Sequence, residues 1–335
     1  MLATLLAQQQ RKYRYWLAAL TLMLVLTFVL SLELGAVGVG IEALWRTVSP
    51  LEQQVFWQLR LPRTLLAMLV GASLALCGAV LQVLLHNPLA EPGLMGISSG
   101  ASLAAVLTLF LSAYFGWSLP YWSLSLAAFI GALIVTLLLL VLSRRRLGPS
   151  ALLLLGVAIG ILANAILTWL LYMADDASLR SFLFWMMGSL GHGQPLSWWW
   201  WLPAVATLLW LVGQGRRLDI LALGDEQAQL LELNARYLQP RLVLAVCLLT
   251  AFSVAMAGPI GFIGLVVPHL LRLVMGGQQR FLLPASMLGG AIALTLADVA
   301  ARTTLSVGEL PIGAVTATLG APVFIWLLVR RYANT

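Results

Sequence analysis

The 335-residue chain is 61% hydrophobic and only 9% charged, with 19 Lys+Arg against 12 Asp+Glu and a net charge of +7. A soluble domain carries about 25% charged residues and about 45–50% apolar ones, so a mean hydropathy of +0.96 leaves too little polar surface to cover a water-soluble globule. A soluble enzyme is excluded, as is a nucleic-acid binder, whose charges would cluster on one polar face; the expectation is an all-α integral membrane protein.

A membrane-spanning helix needs about 20 apolar residues, because hydrocarbon offers its backbone no outside hydrogen-bond partner. Tyr15–Leu32 is uncharged and preceded by basic residues, with no small-residue cleavage site after it, so it reads as an anchor rather than a signal peptide. Thr64–Leu85 follows. Pro92–Ser143 is too long for one span and is broken by Tyr114-Phe-Gly-Trp-Ser-Leu-Pro-Tyr-Trp122, a run of turn formers and interfacial aromatics. The approximate spans are 15–34, 63–86, 94–114, 120–143, 150–173, 195–213, 240–257, 260–276, 281–301 and 310–330, in one transmembrane domain over 1–335, with a cytoplasmic segment at 214–239.

The count turns on Gly258-Pro-Ile-Gly261, which splits 242–271 into two pieces, each short for a full crossing. Cytoplasmic loops retain Lys and Arg. Ten spans with both termini cytoplasmic leave 14 of the 19 basic residues inside and five outside, namely Arg46, Arg60, Arg63, Arg180 and Arg302; nine spans give 11 against 8. Ten is the better expectation.

Lys12 is the only lysine and lies in the N-terminal tail, so the chain lacks the P-loop lysine that reaches the β/γ-phosphates; any ATPase must be a separate chain. Cys77 and Cys247 sit inside apolar runs and read as small buried hydrophobes. His86, His192 and His269 show no ligand spacing, and no metal site is expected. Trp198–Trp201 suits an aromatic belt. Gly71-Ala-Ser and Gly289-Gly-Ala would let helices approach closely. Leu61-Pro-Arg63 and Gln239-Pro-Arg241 open spans of opposite polarity, a faint echo of an inverted repeat.

Within the cytoplasmic segment, Leu221-Ala-Leu-Gly-Asp-Glu-Gln-Ala-Gln-Leu-Leu-Glu-Leu233 predicts a short helix with Asp225 and Glu226 in its first turn. Ala228, Leu230, Leu231 and Leu233 give an apolar side. Such a helix could lie on lipid, but its polar face is acidic, which favours a protein partner. His86-Asn-Pro-Leu-Ala-Glu-Pro-Gly93 and Arg144-Arg-Arg-Leu-Gly-Pro-Ser150 are compact turns, either simple connections or the inner closure of a pathway. Arg60, Arg63 and Arg302 fit interfacial snorkelling or local ion pairing as well as a binding role. Asp298, four residues before Arg302 on one helix face, is the candidate intramembrane acid; it reads as a structural partner of Arg302 or as the proton carrier of a stand-alone transporter.

The runs Arg60-Leu-Pro-Arg-Thr64, Asn87-Pro-Leu-Ala-Glu-Pro-Gly93, Leu221-Ala-Leu-Gly224, Gly258-Pro-Ile-Gly-Phe-Ile-Gly-Leu-Val-Val-Pro-His269 and Glu309-Leu-Pro-Ile-Gly-Ala-Val-Thr-Ala-Thr-Leu-Gly-Ala-Pro-Val-Phe324 together resemble the permeases that import iron-siderophores, haem and vitamin B12. The resemblance covers nearly the whole chain. Leu89-Ala-Glu-Pro-Gly-Leu94 and Phe184-Trp-Met-Met-Gly188 are most similar to the vitamin B12 branch of Gram-negative bacteria, with siderophore or haem transport as the alternative. The resemblance implies a type II ABC importer permease fold in the inner membrane: a ten-helix subunit forming a homodimer around a central path, two ATPase subunits beneath and a periplasmic cobalamin-binding protein above. ATP and Mg would belong to the ATPase, and this chain would bind no cofactor and catalyse no reaction. It further implies that Leu221, Leu223, Gly224, Asp225, Glu226, Ala228 and Leu231 couple to the ATPase. Arg60, Arg63 and Arg302 would dock the binding protein, and Asn87, Leu89, Pro149 and Ser150 would form the cytoplasmic gate. Gly148 and Pro149 stand where relatives carry hydroxyl residues, and Pro149 removes a backbone donor.

Overall fold

The computed structural model describes residues 2–35, 40–44, 49–120, 122–143, 149–191, 199, 201–305 and 308–332. Among these there is no strand. The helices are α1 (Leu2–Glu33), α2 (Pro50–Gln54), α3 (Leu61–Leu84), α4 (Ile97–Phe115), α5 (Trp122–Ser143), α6 (Pro149–Met173), α7 (Asp176–Met186), α8 (Trp201–Gly213), α9 (Gly215–Leu221), α10 (Asp225–Leu230), α11 (Ala235–Ala257), α12 (Ile263–Met275), α13 (Gln279–Thr303) and α14 (Ile312–Tyr332). A π-helical stretch, Val55–Arg60, joins α2 to α3 without a break.

Among the described residues, seven segments are long and apolar enough to cross a membrane: Gln9–Glu33, Pro50–Leu84, Ile97–Phe115, Trp122–Leu142, Ala151–Met173, Ala235–Ala257 and Gln279–Thr303. Trp201–Gly213, Ile263–Met275 and Ile312–Trp326 are apolar but shorter. At 1.5 Å per residue, the 13 residues of α12 reach about 20 Å, less than the roughly 30 Å hydrocarbon core.

The centre of the bundle is α3, buried almost throughout from Thr64 to Leu84 and packed against α11, α12 and α13. Close approach there depends on glycine. A Cβ on Gly71 would overlap the carbonyl oxygen of Gly290, one on Gly290 would overlap that of Gly71, and one on Gly78 would overlap that of Gly264. These contacts seat α13 and α12 directly on the α3 backbone. By contrast α1 exposes Leu22, Val25 and Leu26, the apolar surface expected of a helix facing lipid. Cys77 and Cys247 are free and buried, with Cys77 Sγ 3.5 Å from the carbonyl oxygen of Val246.

Contacts define two ends of the bundle. One gathers Ser31, Thr64, Arg63, Asp298, Arg302 and Glu309; it is called the clamp end below. The other gathers Tyr13, Gln82, Arg272, Met275, Asp219 and Gln279 and is called the junction end. They explain the ambiguous stretch around Gly258. The helix α11 climbs to the clamp end, where Ser189 donates its N–H to the Ala257 carbonyl at 3.0 Å. The chain then turns back through Gly258 (φ 73°) and Phe262 (φ 68°). The helix α12 starts beside Gly78 and runs down to Arg272, whose Nη2 donates to Gln82 Oε1 at 2.9 Å. Gly258-Pro-Ile-Gly261 is thus a reversal between antiparallel pieces, and α12 is a half-helix that begins inside the bundle.

The structure refines one sequence expectation and adds a helix. The short helix expected within Leu221–Leu233 is α10, Asp225–Leu230, which starts directly after Gly224; Gly224 adopts φ 105°, a backbone conformation costly for any residue with a Cβ, and Leu221 is the last residue of α9. After α10 the chain closes in a Schellman turn: Glu232 is left-handed (φ 59°) and Leu233 donates to the Ala228 carbonyl at 2.9 Å. The added helix is α7, which the sequence reading did not anticipate.

Candidate functional site: a charged clamp at one end and a helix junction at the other

At the clamp end, Asp298 has no exposure to solvent and faces two guanidiniums. Arg63, in the first turn of α3, donates to Asp298 Oδ1 through Nε at 2.9 Å and Nη2 at 2.7 Å. Its Nη1 donates to Glu309 Oε1 at 2.6 Å. The Arg302 Nε lies 3.5 Å from Asp298 Oδ2, an ion contact too long for a hydrogen bond, while its Nη2 donates to the Ser31 carbonyl at 2.6 Å and Ser31 Oγ at 2.7 Å. Ser31 Oγ is in turn 2.8 Å from Thr64 Oγ1. Arg60 is 5% exposed and donates through Nη1 to the Leu32 carbonyl at 2.7 Å, at the C-terminal end of α1, where unsatisfied carbonyls attract a cation.

The three arginines therefore fasten α1, α3, α13 and the 308–311 segment together. Local ion pairing is realised, but with a different principal partner: Asp298 pairs mainly with Arg63 on α3 rather than with Arg302 on its own helix. Sequence reasoning missed Ser31 and the role of Glu309. Within the clamp, Glu309 is the most open acid, its side chain 46% exposed against 1% for Asp298.

At the junction end, Asp219 of α9 caps α13. Its Oδ1 accepts the Gln279 N–H at 2.5 Å and its Oδ2 lies 3.4 Å from the Arg280 backbone nitrogen. From the end of α9 onward, Leu221 and Ala228 are buried, at 2% and 0% exposure, whereas Leu223, Leu230 and Leu231 are exposed at 60%, 84% and 54%. The apolar residues of this segment are split between two faces, one anchoring it to the bundle and one turned outward beside the exposed Glu226. Gly224 is the bend between the two helices, and the side chain of Asp225 lies outside the described residues.

Between Leu84 and Ile97, Asn87 Oδ1 accepts the Leu89 N–H at 2.9 Å, leaving Leu89 exposed and Ala90 buried. Glu91 accepts the backbone N–H of Phe262; burial pushes its carboxyl above the ordinary glutamate range, and that hydrogen bond pulls it back. Gly96 (φ 72°) brings the loop against Gly156 of α6. This loop therefore touches both α12 and α6. Pro149 and Ser150 open α6, but their side chains, and residues 144–148 and His192, lie outside the described residues. Among the described residues, no three His, Cys, Asp or Glu come together as a metal site would need.

The comparisons with known proteins agree along the whole chain. Residues 23–330 match the FecCD transport family. The vitamin B12 import system permease proteins BtuC of Escherichia coli O127:H6 and of Shigella boydii serotype 18 are each 47% identical over 327 residues, covering 98% of this chain and 98% of theirs. A solved structure of a metal-chelate type ABC transporter in an inward-facing conformation superposes with a TM-score of 0.83 at 34% identity, covering 94% of this chain and 98% of that one. With several helices able to span a bilayer and a family match over nearly its full length, this multi-pass membrane protein belongs to the FecCD transport family.

Proposed function

We propose that this chain is the permease subunit of an ATP-binding-cassette importer that moves vitamin B12 across the bacterial inner membrane. The observation that carries the reading is the 47% identity to vitamin B12 permeases over 98% of both chains. Ten crossings in a type II permease fold, with both termini in the cytoplasm, follow from the same likeness. The junction end carries Arg216, Arg217, Arg236, Arg272 and Arg280, which supports its assignment as the cytoplasmic side. The chain acts as a homodimer and does no bond chemistry. Hydrolysis of ATP with Mg takes place on two separate ATPase subunits, which dock on the outward-turned Leu223, Glu226, Leu230 and Leu231. Asn87 and Leu89, with Pro149 and Ser150, close the inner end of the path.

A periplasmic cobalamin-binding protein docks at the clamp end. Because Arg60 and Arg302 are turned inward onto backbone carbonyls, the exchangeable contact there is Arg63, shared between buried Asp298 and exposed Glu309. An acid of the binding protein replaces Glu309 on Arg63. E309Q then strengthens association at low salt, where screening is weakest; unchanged or weaker association contradicts this docking contact. Siderophore or haem import is the second reading, favoured by the likeness to a metal-chelate transporter. Growth of a permease-null strain carrying this chain separates the two: rescue on cobalamin supports the first, and rescue on siderophore-iron or haem alone supports the second.

A further inference from the structure

At the junction end, a short helix is attached directly to the start of a long, largely buried one. The helix α9 has seven residues and α13 has 25, about 37 Å of helix. The first N–H groups of a helix have no partner within it, and Gln278, the residue before α13, offers no side-chain cap. Asp219 supplies the cap from 60 residues away, with one oxygen on the Gln279 N–H at 2.5 Å and the other facing the Arg280 N–H at 3.4 Å. Its negative charge also suits the positive end of the helix. One turn earlier on α9, Gly215 is buried, and a Cβ there would lie 2.5 Å from Arg280 Cα. The junction is therefore a two-point attachment of backbone to helix end, with no intervening loop.

From that attachment α13 runs as one continuous helix to the clamp end, with Pro284 inside it. The helix α13 is locked onto α3 midway at Gly290 and Gly71, and its last turns carry Asp298 and Arg302, held by Arg63 and Ser31. On the other side, α9 leads within a few residues to the exposed Leu223, Leu230 and Leu231. We propose that Asp219 is the positioning residue that fastens the ATPase-docking segment to α13, so that displacement of the docking segment moves α13 and, through it, the clamp end. The inference rests on the function proposed above.

The test uses the assembled complex of this chain with its ATPase, reconstituted in liposomes and supplied with binding protein. In D219A, the ATPase is expected to copurify in wild-type ratio. Binding-protein stimulation of ATP hydrolysis and cobalamin uptake are expected to fall together by about fivefold or more, the size of losing one helix cap. D219N keeps an acceptor for the Gln279 N–H and is expected to restore most of both. G215A displaces the same junction while leaving the acid intact and is expected to uncouple like D219A. A D219A complex with wild-type stimulation and uptake overturns the inference, as does a loss that only tracks a lower yield of assembled complex, or a D219N variant as impaired as D219A. A wild-type complex that does not take up cobalamin overturns the functional reading and the inference with it, whereas a defect-free D219A beside an active wild type overturns the inference alone.

Discussion

The two ends of the bundle solve opposite problems. At the clamp end, every guanidinium of the Arg60, Arg63 and Arg302 set finds its partners within the chain, and the central acid, Asp298, is sealed from solvent. At the junction end, Leu223, Leu230 and Leu231 turn outward on a segment that is nevertheless firmly anchored by Leu221, Ala228 and Asp219. Buried charge demands internal completion, since an unpaired ion in a low-dielectric site costs several kcal/mol. Exposed leucines at the edge of a polar segment carry no such demand and suit a partner surface. The clamp end is thus fastened from within, with only Glu309 open at its edge, and the junction end carries an open apolar face, so substitutions in the two should separate stability from ATPase assembly.

The largest effect is expected at Arg63. R63A leaves Asp298 buried without its main partner and should cost about 3–5 kcal/mol, read as a sharp fall in the thermal midpoint of purified protein. The double variant R63A/D298A, which removes both charges, should recover part of that loss; a double variant no better than R63A would mean that the ion pair is not what holds α3 to α13. Next comes the glycine contact. G71V drives a side chain into the Gly290 carbonyl and should destabilise by about 1–3 kcal/mol as overpacked sites do, and G290V should do the same without adding fully to it, because both separate one helix pair.

A smaller effect is expected at Glu91. Its carboxyl is raised above the ordinary value of 4.5, so the folded state binds the proton more tightly than the unfolded chain. Stability contributed by the protonated form is fully present below 4.5 and declines as pH rises through the raised value. The thermal midpoint of the wild type should therefore fall relative to E91Q as pH rises from 4.5 through the raised value and level off beyond it; a wild type that gains on E91Q over that range would reverse the assigned sign. The smallest stability change is expected at the open end. L230S/L231S should alter stability by no more than about 0.5 kcal/mol per site while abolishing copurification of the ATPase. A stable double variant that still retains the ATPase would erase the contrast between the two ends.

Much of this arrangement is legible in the sequence because hydrocarbon punishes polar groups and so writes spans as long apolar runs. The uncharged stretch from Pro92 to Ser143 and its break at Tyr114–Trp122 correspond to α4 and α5, and the Gly-Pro pair at 258–259 marks where the chain reverses. Short-range signals also carry: Gly224 before two acids marks the start of α10. What stays hidden is pairing over long sequence separations. Nothing near Arg63 reveals that its partner lies 235 residues on, and nothing near Asp219 distinguishes it from any surface acid until α13 begins beside it. Local spacing pairs Asp298 with Arg302, four residues on, whereas packing of α3 against α13 brings Arg63 nearer. The helix α7 leaves no clear sequence signal because it is short and mixed, burying Phe182 while exposing Phe184.

The alternative of a stand-alone proton-coupled transporter would use Asp298, which the structure instead engages with two arginines. Uptake of labelled cobalamin into liposomes holding this chain, with and without the proposed ATPase and binding protein, separates the two mechanisms. Uptake is expected only with ATP and all three components, and none from the permease alone under an imposed pH gradient. ATP-independent uptake by the permease alone, or a complete complex that hydrolyses ATP but moves no cobalamin, would contradict the proposed function.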